Sequence, residues 1–334
     1  MKLFTKLALV SAVAVSSNAM AMQAMDDAAL SSTTGQDGIS IGIGIAKVQI
    51  DKLHVFDGDG LGPTQELYTN SKGTVVKGAD VGGTGNPGAI TIKDVVVSAP
   101  MKTTSVDDGT GNMIDKQVPD TDRMLATHNL ADVVIDTDGG TAGKPFLNIA
   151  AAVSGLDISL GQISVNSATG TSGAYVAGTE AAEILSGLKI STGKMTANIQ
   201  LGNTPQGAMI KLDGKMVGGL KISDLAIKDS ANGGYIALGG IKLNDNGSSD
   251  LALDTDIAVK PEGLAITAMK NVTTGTDIYI TKVVLGGGAG YNGVGTPAYD
   301  AAKPGTGSIG DVAISGMKVY NAAGAGAVIT IAGH

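Results

Sequence analysis

The chain of 334 residues has no cysteine, no tryptophan, a single arginine (Arg123) and only three histidines, and its aromatics amount to 3%. Without cysteine there are no disulfides, thiolate nucleophiles, iron–sulfur centres or cysteine-bound zinc. His54, His128 and His334 lie far apart in sequence and leave little for histidine-based metal or acid–base chemistry. Basic residues number 23 against 31 acidic ones, a formal charge of −8, so no electrostatic footprint for a phosphate backbone exists and nucleic acid is not an expected partner. Asp, Ser, Thr and Lys remain, an inventory that suits a structural protein better than an enzyme.

What the chain does have is 50 glycines and a hydrophobic fraction of 43%, enough apolar surface for a folded state. Residues 1–21 read as a secretory signal peptide: Lys2 and Lys6 form a basic start, Leu7 to Val15 an apolar run, and Ala19-Met20-Ala21 a small-x-small cleavage site. The expected organisation is therefore a signal peptide (1–21), a short N-terminal segment (22–38) and a Gly-rich β domain (39–334), exported to the periplasm or cell surface of a Gram-negative bacterium. The apolar run is too short for a membrane span and nothing downstream approaches one, so an integral membrane protein is not expected. An outer-membrane barrel would need aromatic girdles and longer strands than this pattern provides.

One pattern recurs along the domain: aliphatic-x-aliphatic, two small or polar residues, aliphatic-x-aliphatic. Its copies are Val48-Ile50/Leu53-Val55, Ile90-Ile92/Val95-Val97, Ile158-Leu160/Ile163-Val165, Leu220-Ile222/Leu225-Ile227, Ile236-Leu238/Ile241-Leu243, Ile278-Ile280/Val283-Leu285 and Val312-Ile314/Met317-Val319. Alternation puts each aliphatic pair on one face of a strand, but a step of three changes faces, so the chain must turn or bulge at the intervening pair. A hairpin turn suits Gly239-Gly240; Thr281-Lys282 suits the corner of a solenoid coil better, because β-branched residues resist positive φ. The expected fold is all-β, an irregular β-solenoid or elongated β-sheet stack with long Gly-rich loops at Asp57 to Gly88, Ser98 to Asp122 and Gly286 to Gly307. Short helices are expected at Asp26 to Leu30, Glu180 to Leu185 and Thr121 to His128.

Chemistry-bearing motifs are sparse. Asp57-Gly58-Asp59-Gly60 places two carboxylates as a calcium loop would, yet Leu61 and Tyr68 stand where an EF-hand needs further ligands, and Asp-Gly pairs are ordinary turn formers. Calcium at Asp57 and Asp59 is the one cofactor the motifs raise. The glycine runs lack any phosphate-loop pattern, no nucleophile elbow occurs, and His54 reads as an exposed spacer between Leu53 and Val55. Ile39, Ile41, Ile43 and Ile45 alternate with Ser and Gly, forming a strand ridge near the start of the domain that can add to another subunit's sheet edge or begin this chain's own core.

The segment Met22 to Ile41, with Met25-Asp26-Asp27, Leu30 and Gly35-Gln36-Asp37-Gly38-Ile39-Ser40-Ile41 after a signal peptide, resembles the mature N-terminus of the FilA-type pilus-assembly proteins of gammaproteobacteria. The resemblance covers some twenty residues and implies a structural or accessory part in a surface filament or adhesin. Its partners would be other filament or surface-assembly subunits, including copies of itself, and it brings no catalytic residues with it. The alternative from the residues alone is a periplasmic or outer-surface binding protein whose open aliphatic sheet holds an apolar ligand.

Overall fold

The computed structural model describes residues 38–286 and 308–333, and contacts group Ser40–His334 as one unit. The signal peptide, the expected helix at Asp26 to Leu30 and nearly all of the stretch from Gly286 to Gly307 lie outside the described residues. The described chain is all-β, with two large antiparallel sheets of eight and ten strands, three two-stranded hairpins and three short 3-10 turns.

The chain enters the eight-stranded sheet as β1 (Ile39–Ile43) and crosses to the ten-stranded sheet as β2 (Lys47–Asp57). A hairpin of β3 (Glu66–Thr69) and β4 (Val75–Lys77) leads to β5 (Gly88–Ser98), which returns beside β2. A second hairpin, β6 (Met101–Asp107) and β7 (Met113–Pro119), precedes β8 (Ala131–Asp138) and β9 (Phe146–Val153) of the eight-stranded sheet. Four segments of the ten-stranded sheet follow: β10 (Asp157–Leu160), β11 (Ile163–Thr169), β12 (Val176–Leu185) and β13 (Leu188–Ser191). From there the sheets alternate two strands at a time: β14 (Met195–Gly202) and β15 (Ile210–Met216) in the eight-stranded sheet, then β16 (Leu220–Lys228) and β17 (Tyr235–Asp245) in the other. Next come β18 (Leu251–Lys260) and β19 (Gly263–Ala268), then β20 (Thr276–Gly286) and β21 (Ser308–Met317). The small pair β22 (Tyr320–Asn321) and β23 (Gly324–Ala325) leads to β24 (Ala327–Ile331), the last strand of the eight-stranded sheet.

The recurring pattern explains this arrangement, though its paired residues are neither turns nor coil corners. β10 and β11 form one interrupted strand along β5, and β12 and β13 form its interrupted partner. Across the first gap Lys93 N–H donates to the Gln162 carbonyl at 3.0 Å and Gly161 N–H to the Lys93 carbonyl at 2.8 Å, so the pairing continues through it. Asp94, Asp224 and Lys282, one in each of three pairs, take left-handed φ of 50°, 60° and 52°. A left-handed residue in mid-strand lets the aliphatic alternation change phase without ending the strand, which is what the three-residue step requires. A solenoid would stack parallel coils; the described strands instead pair antiparallel with their neighbours.

Two other expectations change. Residues 180–185 belong to β12 rather than a helix, because Leu185 pairs with Ile163 and Ile227 in the sheet and this outweighs the local helix preference of Glu and Ala. Of the stretch Thr121 to His128 only Thr121–Arg123 is helical, as one 3-10 turn, and Ala126-Thr127 form a separate turn in which His128 N–H donates to the Leu125 carbonyl at 3.0 Å. The first two long loops contain the β3–β4 and β6–β7 hairpins. The latter is closed by Asp107 Oδ1, which accepts Gly109 N–H at 2.8 Å and Gly111 N–H at 3.0 Å.

The passages between the sheets are held by polar side chains rather than by an apolar core. Arg123 donates to the carbonyls of Thr192 (2.8 Å) and Leu156 (3.1 Å) and to Asp157 Oδ1 (2.6 Å). Buried Ser154 accepts Leu125 N–H at 2.9 Å and donates to the Asn129 carbonyl at 2.7 Å. A side chain at Gly155 would put Cβ 2.5 Å from the Thr192 carbonyl, so the backbones meet only because glycine stands there.

Candidate assembly surface

Cross-strand register turns the scattered aliphatics into continuous rows. In the eight-stranded sheet Ile135, Ile149, Ile199, Ile210, Ile257, Ile266 and Ile329 pair one to the next across seven strands. In the ten-stranded sheet Val48, Val97, Ile158, Ile190, Ile222, Ile241, Ile280 and Val312 form a row from β2 to β21. A further row there runs through Leu53, Ile92, Ile163, Leu185, Ile227, Ile236 and Leu285. Each such cross-strand contact contributes roughly 0.2–1 kcal/mol, so long rows specify register firmly.

The chain covers these rows only in part: Ile135 to Ile266 of the first and Val97 to Ile280 of the second are half-buried, while Ile329, Val48 and Val312 at the row ends are exposed. Among the described residues no isoleucine or leucine is buried; the buried apolar side chains are Pro100, Met216, Val284 and six alanines. Ile227, Ile236 and Leu285, neighbours in one row, remain 49%, 50% and 52% exposed. Scattered exposed aliphatics are normal on a protein surface, but contiguous apolar rows mark a face that another body contacts.

The expected isoleucine ridge lies at the edge of this system. Ile39, Ile41 and Ile43 are in β1, an edge strand whose described neighbour is β8, and Ile45 follows it. Ile39, Ile41 and Ile45 are exposed, while Ile43 is half-buried and its carbonyl accepts Leu130 N–H at 2.8 Å. At the opposite edge of the same sheet stands β24, with Val328, Ile329 and Ile331 exposed. Sequence reasoning singled out β1 but missed β24. The alternating run Ala327-Val328-Ile329-Thr330-Ile331 carried the same signal.

The Asp57-Gly58-Asp59-Gly60 motif begins at the last residue of β2 and continues into the loop after it. Asp57 Oδ1 accepts Gly60 N–H at 3.0 Å, an Asp-turn, and among the described residues no group of three or more His, Asp or Glu side chains is placed to hold a metal ion. Gly58 lies against Tyr175 from the β11–β12 turn. Tyr175 stacks on Phe56 with ring centroids 5.6 Å apart, and Phe56 lies 5.8 Å from the His54 ring. His54 is therefore half-buried rather than an exposed spacer, with Nδ1 3.0 Å from Thr91 Oγ1. These rings, with Lys52, Lys93 and Asn166, border a groove of about 480 Å³.

Charged groups serve the strands. Lys228 Nζ meets Glu183 Oε2 at 2.8 Å, and Lys270 bridges Asp254 and Asp256. The Gly218 N–H and the Lys215 ammonium, 2.8 Å from Asp250, hold the Asp250 carboxyl down to about 2. Burial pushes Asp157 up, but hydrogen bonds from Arg123 and Met101 N–H outweigh it and keep the carboxyl below its usual value.

Residues 1–117 match the profile of DUF6160, a family of unknown function. No curated protein and no solved structure matches the chain.

Proposed function

We propose that the protein is an exported structural or accessory component of a bacterial surface filament or adhesin, acting through its elongated β-sheet stack and not through catalysis. The observation that carries this reading is the set of aliphatic rows spanning both sheets, with no leucine or isoleucine buried among the described residues. An aliphatic side chain fully removed from water contributes roughly 1.5–3 kcal/mol relative to leaving it exposed. Rows that are half-buried in their middle and exposed at Ile227, Ile236, Leu285 and the row ends leave part of that stabilisation to be gained by contact with another subunit. The resemblance of Met22 to Ile41 to the FilA-type proteins supports the same reading.

The test is deletion of the gene, with electron microscopy of the cell surface and fractionation of the protein. Loss of surface filaments or adhesion, with the protein in the surface fraction, supports the proposal; unchanged cells with all of the protein soluble in the periplasm overturn it. The same exposed rows favour one other reading, an apolar-ligand carrier. Lipid co-purifying in fixed stoichiometry with a monomer would select that alternative.

A further inference from the structure

The order of strands in the two sheets assigns a specific partner to this surface. In the eight-stranded sheet the order is β1-β8-β9-β14-β15-β18-β19-β24, so the first described strand forms one edge and the last described strand forms the other. The ten-stranded sheet runs the same way, from β2 at one edge to β21 at the other. Counting the interrupted strands β10–β11 and β12–β13 once each reduces its ten strands to eight positions. Neighbours alternate in direction, the β1–β8 pair included, where the end of β1 meets the start of β8 through Leu130 N–H and the Ile43 carbonyl, and each sheet has an even number of positions. The first and last strands of each sheet therefore run in opposite directions.

That parity has a geometric consequence. A second copy displaced along the strand order of the eight-stranded sheet, without rotation, brings its β1 beside β24 of the first copy in antiparallel sense. An odd number of positions would set the meeting strands parallel. The two edges of the eight-stranded sheet are also unprotected. Natural edge strands are blunted by charge, proline or bulges, yet Ile39–Ile43 and Ala327–Ile331 contain neither a charged residue nor a proline. Ile39 and Ile331 are 60% and 54% exposed.

We propose that copies of this chain join head to tail, the edge strand β24 of one copy hydrogen-bonding to β1 of the next. This deepens the assembly reading and rests on it. The contact is heterologous, since different edges meet, so it does not close on itself and generates an open linear polymer. Main-chain hydrogen bonds across the seam supply attachment, as in strand addition generally, and the row ending at Ile329 is extended by the apolar residues of the incoming β1. With eight strand positions per copy at about 4.8 Å each, the polymer repeats about every 38 Å along its axis.

Because the chain has no cysteine, introduced cysteines report the contact directly. In the full mature chain one cysteine is placed in β1, at each position from Ile39 to Ile43 in turn, and one in β24, at each position from Ala327 to Ile331. Under mild oxidation at least one such pair is expected to give a covalent ladder of dimer, trimer, tetramer and longer species. Mixing the two corresponding single-cysteine variants should give dimers and nothing longer. Two results overturn the proposal: no ladder from any pair in protein that circular dichroism shows to be folded, or dimers from a single-cysteine variant alone, which signifies like edges meeting. Either of these, found beside loss of surface filaments on gene deletion, leaves the surface role intact and rejects only self-addition. A ladder in cells whose surface is unaffected by deletion rejects the surface role instead.

Discussion

The Tyr175 hydroxyl occupies the space that a side chain at Gly58 would need: a Cβ built on Gly58 stands 2.0 Å from Tyr175 Oη and 2.8 Å from its Cζ. The tyrosine comes from the β11–β12 turn and the glycine from the loop after β2, so this contact pins the tip of a long hairpin against the edge of the ten-stranded sheet. Gly58→Ala forces Tyr175 off Phe56, and overpacking of this kind costs about 1–3 kcal/mol. Thermal unfolding should show that loss. It should largely vanish in a Tyr175→Ala background, because the two substitutions then act on the same contact.

Arg123 is the single arginine of the chain and fastens three backbone segments at once. Arg123→Ala removes its bonds to two carbonyls and strands Asp157, with an expected loss of about 2–4 kcal/mol by chemical denaturation. Arg123→Lys should recover only part of it, since an ammonium cannot reproduce the planar fork.

The pH dependence follows from carboxyls held below their ordinary values. Asp157 and Asp250 are depressed in the folded state, so the stability they contribute is fully present above the unfolded carboxylate range, near pH 4. That stability falls as pH drops through their folded values, which for Asp250 means toward about 2. Acid unfolding curves of Asp250→Asn should lose part of this acid-limb slope relative to the parent, while the two proteins differ little in slope between pH 6 and 8 on the scale of ordinary titration.

Lys282 sits at φ 52° in mid-strand, where β-branched side chains are strained. Lys282→Val should destabilise by about 1–2 kcal/mol, and Lys282→Gly should be close to neutral. An equal loss in both variants would show that the lysine side chain, and not the backbone, matters there.

These strained positions show what was legible in the sequence and what was not. The repeat of two aliphatic pairs around a polar pair gave the all-β class and a break in each strand, because the change of phase is visible in one dimension. It did not distinguish a corner from a bulge. That depends on what lies beside Lys93-Asp94, and the neighbour, Gly161-Gln162, is 68 residues further along the chain. The isoleucine ridge of β1 was readable from alternation, whereas its relation to β24 depends on strand order, which no local pattern encodes. Tyr175 was invisible for the same reason: its partner Phe56 is more than a hundred residues away.

Edge residues separate assembly from folding. Ile41→Asp and Ile43→Asp each place a charge on β1, and the expected outcome is loss of oligomers with the antiparallel circular dichroism signature and cooperative unfolding retained. Loss of folding would assign β1 to the stabilising body of the sheet.

The edge strands β1 and β24 are expected to be joined to further copies of the same chain. Sedimentation velocity of the purified mature protein over a hundredfold range of concentration tests it most directly. The expected result is an open-ended series of oligomers that lengthens with concentration and collapses to monomer in Ile41→Asp. A single monomeric boundary for the parent protein at every concentration would contradict it.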